Sequence, residues 1–138
     1  MEGFAHFLLP AKAPDDSVLL EARKGDIFCI PPGYGHVTIN PTLDETLTMA
    51  NLVSTAFSRE YALYENMHGA ARYELIGGTI KKNPAYGDGP PLQKIKTICS
   101  VSGDFGIHNS LYEGIGNDRI AGLLNNPEHF NDFFIRSI

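Results

Sequence analysis

The sequence has few cysteines, no basic run and no long apolar segment, and each feature limits the classes of function. Its two cysteines, Cys29 and Cys99, form no C-x-x-C motif, which favours buried free thiols in a cytoplasmic protein. The net charge is -5, without a run of Lys or Arg, so we expect no nucleic-acid partner. The apolar runs are too short for a membrane span, and the first residues lack a basic leader. These absences predict a cytoplasmic protein with no membrane contact.

The composition is that of a folded chain. Of 138 residues, 43% are hydrophobic and 20% are charged. That length suits one domain with a sizeable core, and this balance excludes a disordered chain.

The first half of the sequence predicts short β-strands separated by turns rich in Pro, Gly and Asp. The expected strands are Phe4 to Leu9, Ser17 to Ala22, Asp26 to Ile30, His36 to Asn40 and Glu45 to Val53. Strands at this spacing indicate an all-β sandwich or barrel.

The second half predicts helices between turn-rich segments. We expect a short helix within residues 58–69, a strand at 71–75, a turn-rich surface arm at 77–91, and a strand within 94–102. Residues 117–138 predict two short helices, with Asp118 and Asn126 as caps and Pro127 at a first helical position. Phe130, Phe133 and Phe134 then fall on one helical face.

The segment "GDIFCIPPGYGHVTIN", residues 25–40, predicts a sharp corner between two strands. Pro31 and Pro32 remove two backbone donors, and Gly33 and Gly35 permit unusual backbone angles. A strand restarting at His36 would place that side chain near a ligand pocket if it points into a small barrel.

The spacing of this segment resembles the second sequence motif of the cupins, which are β-barrels of the jelly-roll type. The fixed positions are Gly25, Pro31, Gly33, His36 and Asn40. The resemblance implies a mainly β, cupin-type jelly-roll barrel, incomplete on its N-terminal side, with short C-terminal helices. It also implies that His36 is a metal ligand, for Fe, Mn, Ni or Zn.

A longer stretch resembles the cupin-type glucose-6-phosphate isomerases of archaea. "FCIPPGYGHVTINPTLDETL" is followed by "STAFSREYALYENMHG", in which "REYA" takes the place of a "HDYG"-like segment of that family. The resemblance implies that Tyr61 lines a sugar-phosphate pocket, with Tyr34, Thr38 and Arg59 as further candidate contacts. Arg59 stands where the family has histidine. The family is homodimeric and acts in glycolysis and gluconeogenesis.

The family's first motif, H-x-H followed by a glutamate, has no match in this chain. Gly3 resembles the glycine that closes that motif, which would place the two histidines and the glutamate before Met1. The family glutamate is both a metal ligand and a candidate base, so the catalytic residues of this chain are unknown. We therefore predict that the isolated chain binds metal weakly or not at all and is weakly active or inactive.

Two functions follow, and the sequence leaves both open. One is aldose–ketose isomerisation of glucose 6-phosphate and fructose 6-phosphate, completed if necessary by a separate N-terminal chain. The alternative is a non-catalytic cupin that binds a small molecule or forms a subunit. We place the cupin portion at residues 1–84 and a C-terminal extension at 85–138, and we expect its helices to pack on the barrel of a homodimer.

The polar side chains of the candidate site also allow structural roles. His36, Thr38 and Asn40 alternate with apolar residues and share one face of a strand, which points either inward or to water. We expect a structural role for His6, a helix-end role for His68, and surface or packing roles for His108 and His129.

Overall fold

The computed structural model describes residues 4–10, 17–87, 91–95 and 101–135. Its strands are β1 (Phe4–Pro10), β2 (Ser17–Arg23), β3 (Val37–Ile39), β4 (Arg72–Glu74), β5 (Ile80–Lys82) and β6 (Leu92–Ile95). Its α-helices are α1 (Ala62–Asn66), α2 (Val101–Phe105), α3 (Asp118–Asn125) and α4 (Asn131–Ile135). Three 3₁₀ turns lie at Pro84–Tyr86, Leu111–Gly114 and Pro127–Phe130.

The strands form a four-stranded sheet and a two-stranded sheet. The order in the larger sheet is β3-β1-β2-β6, in which β1 is antiparallel to both of its neighbours and β6 runs parallel to β2. The smaller sheet is the hairpin β4–β5. The mainly β class with short C-terminal helices is therefore confirmed, while closure into a jelly-roll barrel stays a prediction.

The larger sheet is covered on both faces. One face, which we call the helix-covered face, carries Ala5, Phe7, Leu9, Val18, Leu20 and Ala22. These side chains join one core with residues of the C-terminal segment, which are Val101, Phe105, Ile107, Ile120, Leu123, Phe133 and Phe134; all but Ile107 lie in α2, α3 or α4. The opposite face, the hairpin-covered face, packs Leu8 and Leu19 against Ala70, Tyr64 and Ile80. The sheet is thus the middle layer of the described chain.

The expected packing of the tail aromatics is confirmed. Phe133 and Phe134 are each 7% exposed, and their rings lie 5.2 Å apart. Phe105 lies 5.0 Å from Phe133 and 6.0 Å from Phe130. The tail therefore covers the apolar face of β1 and β2. The domain boundary near residue 84 remains a prediction.

Two expected strands are wrong. Residues 26–30 and 45–53 contain only single bridge residues, Phe28 and Thr48. Residues 27–30 are half-buried against the core, so their apolar run packs without a hydrogen-bonded ladder. In the second segment Leu47 and Leu52 pack on the core, whereas Val53 is 58% exposed. Apolar residues in a short run therefore indicated burial here rather than strand pairing.

Several elements differ from the expected ones. The expected surface arm forms β5, whose turn uses Gly77 and Gly78 at φ 91° and 81°. The cap of α3 is Asn117 rather than Asp118, because the Asn117 side chain accepts from the backbone N–H groups of Arg119 and Ile120. Of the strand expected within 94–102, Lys94 and Ile95 lie in β6, whereas Val101 and Ser102 lie in α2. Residues 96–100 lie outside the described residues.

The remaining predictions have mixed outcomes. Pro127 is at the first position of its 3₁₀ turn as expected, but the Asn126 side chain makes no cap hydrogen bond. Cys29 is half-buried, with its thiol sulfur 3.7 Å from the Ile30 carbonyl oxygen, and Cys99 lies outside the described residues. Within the described ranges, the search for a helix long and apolar enough to cross a membrane found none.

Candidate functional site

The corner before β3 has the sharp bend that its prolines and glycines predict. Tyr34 N–H donates to the Pro31 carbonyl at 3.3 Å, and Gly35 N–H donates to the Pro10 carbonyl at the end of β1 at 3.0 Å. Gly33 has φ +83° with open space where a Cβ would lie, so its backbone angle is what requires glycine there. These bonds fix the corner against β1 and determine where His36 begins.

His36 lies at the end of this corner, one residue before β3. Its side chain is exposed, yet the surrounding protein removes part of its hydration and lowers its pKa below 6.5. The ring is therefore mostly neutral at pH 7, and neutral imidazole is the form that ligates a metal or accepts a proton.

The described residues do not by themselves form a metal centre. Among the described ranges, no group of three or more His, Cys, Asp and Glu side chains is arranged to hold a metal ion. A single exposed imidazole binds a divalent ion weakly. His36 can therefore contribute one ligand to a metal site, which the described residues alone do not complete with three such side chains.

Only part of the expected polar face is formed by β3. Thr38 pairs with Phe7 and therefore points to the helix-covered face. The sequence left open whether this side chain points inward or to water, and in the structure it points inward. His36 precedes the strand and Asn40 follows it. The Asn40 side chain instead holds a loop, because its Nδ2 donates to the Glu45 carbonyl at 2.8 Å.

The other candidate contacts lie at different depths. Tyr34 is half-buried and packs against the core of the helix-covered face. Tyr61 is 55% exposed and immediately precedes α1, where its carbonyl accepts from Glu65 N–H at 3.0 Å. Arg59 is exposed two residues earlier. Tyr61 and Arg59 are thus available to a ligand, while Tyr34 supports the corner from inside.

A tyrosine that the sequence did not single out contacts this corner. Tyr64, in the middle of α1, places its hydroxyl oxygen so close to Gly35 that a Cβ there would overlap it. From the sequence, Gly35 indicated only an unusual backbone angle. The sequence feature that could have pointed to Tyr64 is its spacing from Tyr61, because residues three apart lie on one side of a helix.

His6 has the structural role expected of it. Its Nδ1 lies 2.6 Å from Glu74 Oε2, and the two side chains are 12% and 3% exposed. The register of β1 places His6 on the hairpin-covered face, opposite to Thr38. The pair therefore joins β4 to β1, away from the candidate site.

The other histidines also match their expected roles. His68 follows the end of α1, His108 is exposed with its backbone N–H bonded to Glu113, and His129 is exposed.

The corner and α1 belong to a mainly β-protein with short helices. The family model described as Glucose-6-phosphate isomerase (GPI) matches residues 1–90. Because this match covers more than half of the chain, the chain belongs to the glucose-6-phosphate isomerase family. No curated protein and no solved structure matches the chain. All five candidate site residues lie inside the matched segment, and α2, α3 and α4 lie beyond it.

Proposed function

We propose that this chain binds the sugar phosphates of the reaction that interconverts glucose 6-phosphate and fructose 6-phosphate. The observation that carries the proposal is the family match over residues 1–90, which includes the corner and α1. The cupin resemblance of the corner motif supports it further. The binding residues in this proposal are His36, Tyr34, Thr38, Arg59 and Tyr61.

Three of these candidates, Arg59, Tyr61 and His36, have distinct roles in the proposed site. Arg59 supplies an exposed positive charge for the phosphate group, and Tyr61 offers an exposed phenol to a sugar hydroxyl. His36 presents a mostly neutral imidazole. Isomerisation moves a proton between C1 and C2, so a base must reach both carbons. The sequence names no such base, and we therefore propose binding with little or no turnover by the isolated chain.

Binding and turnover are tested separately. Calorimetry with fructose 6-phosphate should show binding by the purified chain, and Arg59→Gln should weaken it by about tenfold or more, the loss typical of a charged contact. Arg119→Gln removes the same charge from α3, outside the matched segment, and should leave binding unchanged. Equal losses in both variants, or no binding by the parent chain, would contradict the proposal.

A coupled assay tests turnover. We expect a rate near the uncatalysed background with fructose 6-phosphate. Turnover that is abolished by His36→Ala or by Tyr61→Phe would instead show that this chain supplies its own base.

The metal is tested by elemental analysis. We expect substoichiometric Fe, Mn, Ni or Zn in the purified chain, because His36 is the one family ligand carried over. His129→Ala is the matched control, since His129 is an exposed histidine outside the matched segment. Stoichiometric metal that is lost in His36→Ala and retained in His129→Ala would overturn this expectation.

The alternative function is a non-catalytic binding or subunit-forming cupin. One observation favours it: the helix-covered face, which Thr38 faces, is packed with aromatic rings of the C-terminal helices. These rings fill part of the space that a sugar would need on that face. The main proposal includes Thr38 as a sugar contact, so it expects Thr38→Val to weaken binding of fructose 6-phosphate, and an unchanged affinity would favour the alternative.

A further inference from the structure

Gly35 and Gly33 are required for different reasons, although both lie in the same corner. Gly33 has a positive φ and open space, whereas no positive φ is found at Gly35. A Cβ at Gly35 would overlap the Tyr64 hydroxyl oxygen and lie 3.1 Å from Tyr64 Cζ, which is closer than ordinary van der Waals contact. Tyr64 therefore occupies the space that a side chain at residue 35 would need.

Tyr64 is held firmly in this position. Its ring packs on the hairpin-covered face with Leu8, Leu19 and Ala70. Its carbonyl accepts from Gly69 N–H at 2.7 Å, which fixes the end of α1. Burial, and then the neighbouring Tyr86, raises the pKa of the Tyr64 phenol, so the hydroxyl keeps its proton at neutral pH. The packing of its ring and this backbone hydrogen bond therefore hold Tyr64 beside the corner.

This contact lies between the two segments of the proposed site. His36 directly follows Gly35, and Tyr61 precedes Tyr64 by about one turn of helix. The separation between the imidazole corner and the phenol at the start of α1 therefore depends on how closely Tyr64 approaches Gly35.

We propose that Tyr64 is a positioning residue of the sugar-phosphate site, whose hydroxyl rests on Gly35 and sets the spacing between His36 and Tyr61. The proposal rests on the proposed function for the identity of the ligand, but the contact itself does not depend on that function. Tyr64 acts through the corner and through α1 rather than by touching the ligand.

The test is a cycle of three variants in the full chain, probed with fructose 6-phosphate. Gly35→Ala adds a methyl group where the hydroxyl lies, Tyr64→Phe removes the hydroxyl oxygen, and the double variant does both. Contacting residues couple by about 2- to 150-fold in an equilibrium constant. We expect Gly35→Ala to weaken binding by about tenfold, and the double variant to bind better than Gly35→Ala.

The single variant Tyr64→Phe distinguishes a role of Tyr64 in positioning the site from a role in the stability of the fold. We expect it to weaken binding by about threefold while the melting temperature changes little, since one oxygen is lost and the ring packing remains. Tyr73→Phe is the matched control, because it removes a tyrosine hydroxyl that donates to the His68 carbonyl at 3.2 Å rather than one that lies against Gly35. The control should leave the affinity for fructose 6-phosphate unchanged.

NMR separates failure of this proposal from failure of the proposed function. The ring resonances of His36 and Tyr61 should shift in Tyr64→Phe and not in Tyr73→Phe, whether or not the chain binds fructose 6-phosphate. Unshifted resonances in Tyr64→Phe overturn the positioning role. So does a double variant that melts no higher than Gly35→Ala. If Gly35→Ala does not fold, recovery of folding in the double variant supports the contact, and continued misfolding overturns it.

Discussion

At the scale of single residues, Asn83 is the most heavily bonded buried polar side chain of the described part. It is 2% exposed, and its Nδ2 donates to the Met67 and Ala70 carbonyls at 2.8 and 2.9 Å. Its Oδ1 accepts from Ala85 N–H at 3.0 Å. One amide thus satisfies three backbone groups and joins α1 to the turn after β5.

Asn83→Asp should therefore be strongly destabilising. The substitution keeps the shape but removes both donors and leaves a carboxylate facing two carbonyls, at a cost of about 3 kcal/mol. Asn40→Asp is the matched control, because Asn40 makes the same kinds of bonds in an exposed loop, and it should cost less than about 1 kcal/mol. Urea denaturation at pH 7 measures both values. Equal losses would show that burial of Asn83 has no energetic consequence.

The corner histidine predicts a small pH dependence of stability. Loss of hydration lowers the pKa of folded His36 below 6.5, so below that pH the unfolded chain binds more protons than the folded one. Stability from this group is complete above about pH 6.5 and is lost as the pH falls through the window down to the folded pKa. The effect is small because the side chain is exposed.

NMR titration of the His36 ring measures this directly. We expect a midpoint below 6.5, and His36→Gln should reduce the slope of stability against pH in the same window. A midpoint above 6.5 would mean that an acidic partner, rather than loss of hydration, dominates at the corner.

At the scale of elements, two backbone hydrogen bonds cap the C-terminal end of α1, and a histidine lies there in the position that glycine usually takes. Gly69 N–H donates to the Tyr64 carbonyl at 2.7 Å and His68 N–H donates to the Glu65 carbonyl at 3.3 Å. His68 lies in the left-handed position, φ 55°, which glycine usually occupies. Among the described residues it is the one non-glycine with positive φ.

His68→Gly should therefore raise the free energy of unfolding by about 0.5–1 kcal/mol, because it relieves the contact between Cβ and backbone. The hydrogen bond from the Tyr73 hydroxyl is kept, since it ends on the backbone carbonyl of residue 68. His129→Gly, at an exposed histidine of ordinary φ, should give no gain. A gain of equal size in both variants would contradict strain at His68.

The elements also show how far the sequence could predict the structure. β1 and β2 were predicted almost to the residue, because turn-rich segments bound them and their side chains fill both faces of a sheet. Residues 26–30 are as apolar as β2, but their backbone lies next to two prolines and mostly packs without pairing. The Tyr64–Gly35 contact joins positions far apart in sequence. It could not be predicted without knowing where α1 lies.

At the scale of the whole molecule, the C-terminal helices share one core with β1 and β2. Phe133→Ala should cost about 3–5 kcal/mol, because the ring is 7% exposed and its removal leaves a cavity beside Phe105. Tyr112→Ala removes an aromatic ring that is 72% exposed and should cost less than about 1 kcal/mol. The measurement is thermal unfolding followed at two wavelengths. A large loss confined to a separate second transition would show that the tail unfolds alone.

Assembly is the second prediction at this scale. We predict a homodimer, by family resemblance and because the described surface includes exposed apolar side chains such as Val53 and Phe57, at 58% and 60% exposure. Sedimentation velocity over a range of concentrations should show a species of twice the chain mass. A monodisperse monomer throughout that range would refute the dimer.

The parallel pairing of β6 with β2 has a consequence for how the chain reaches its folded state. β1 and β2 are neighbours in sequence and can form their ladder early, whereas the partner of β2 on its other side is made much later. Until Leu92–Ile95 arrives, one edge of β2 presents unpaired N–H and C=O groups beside fully buried leucines. Non-local pairing of this kind slows folding, and an open apolar edge can recruit other chains in the meantime. The same strand order that completes the sheet therefore leaves this edge of β2 open to other chains until residues 92–95 have been synthesised.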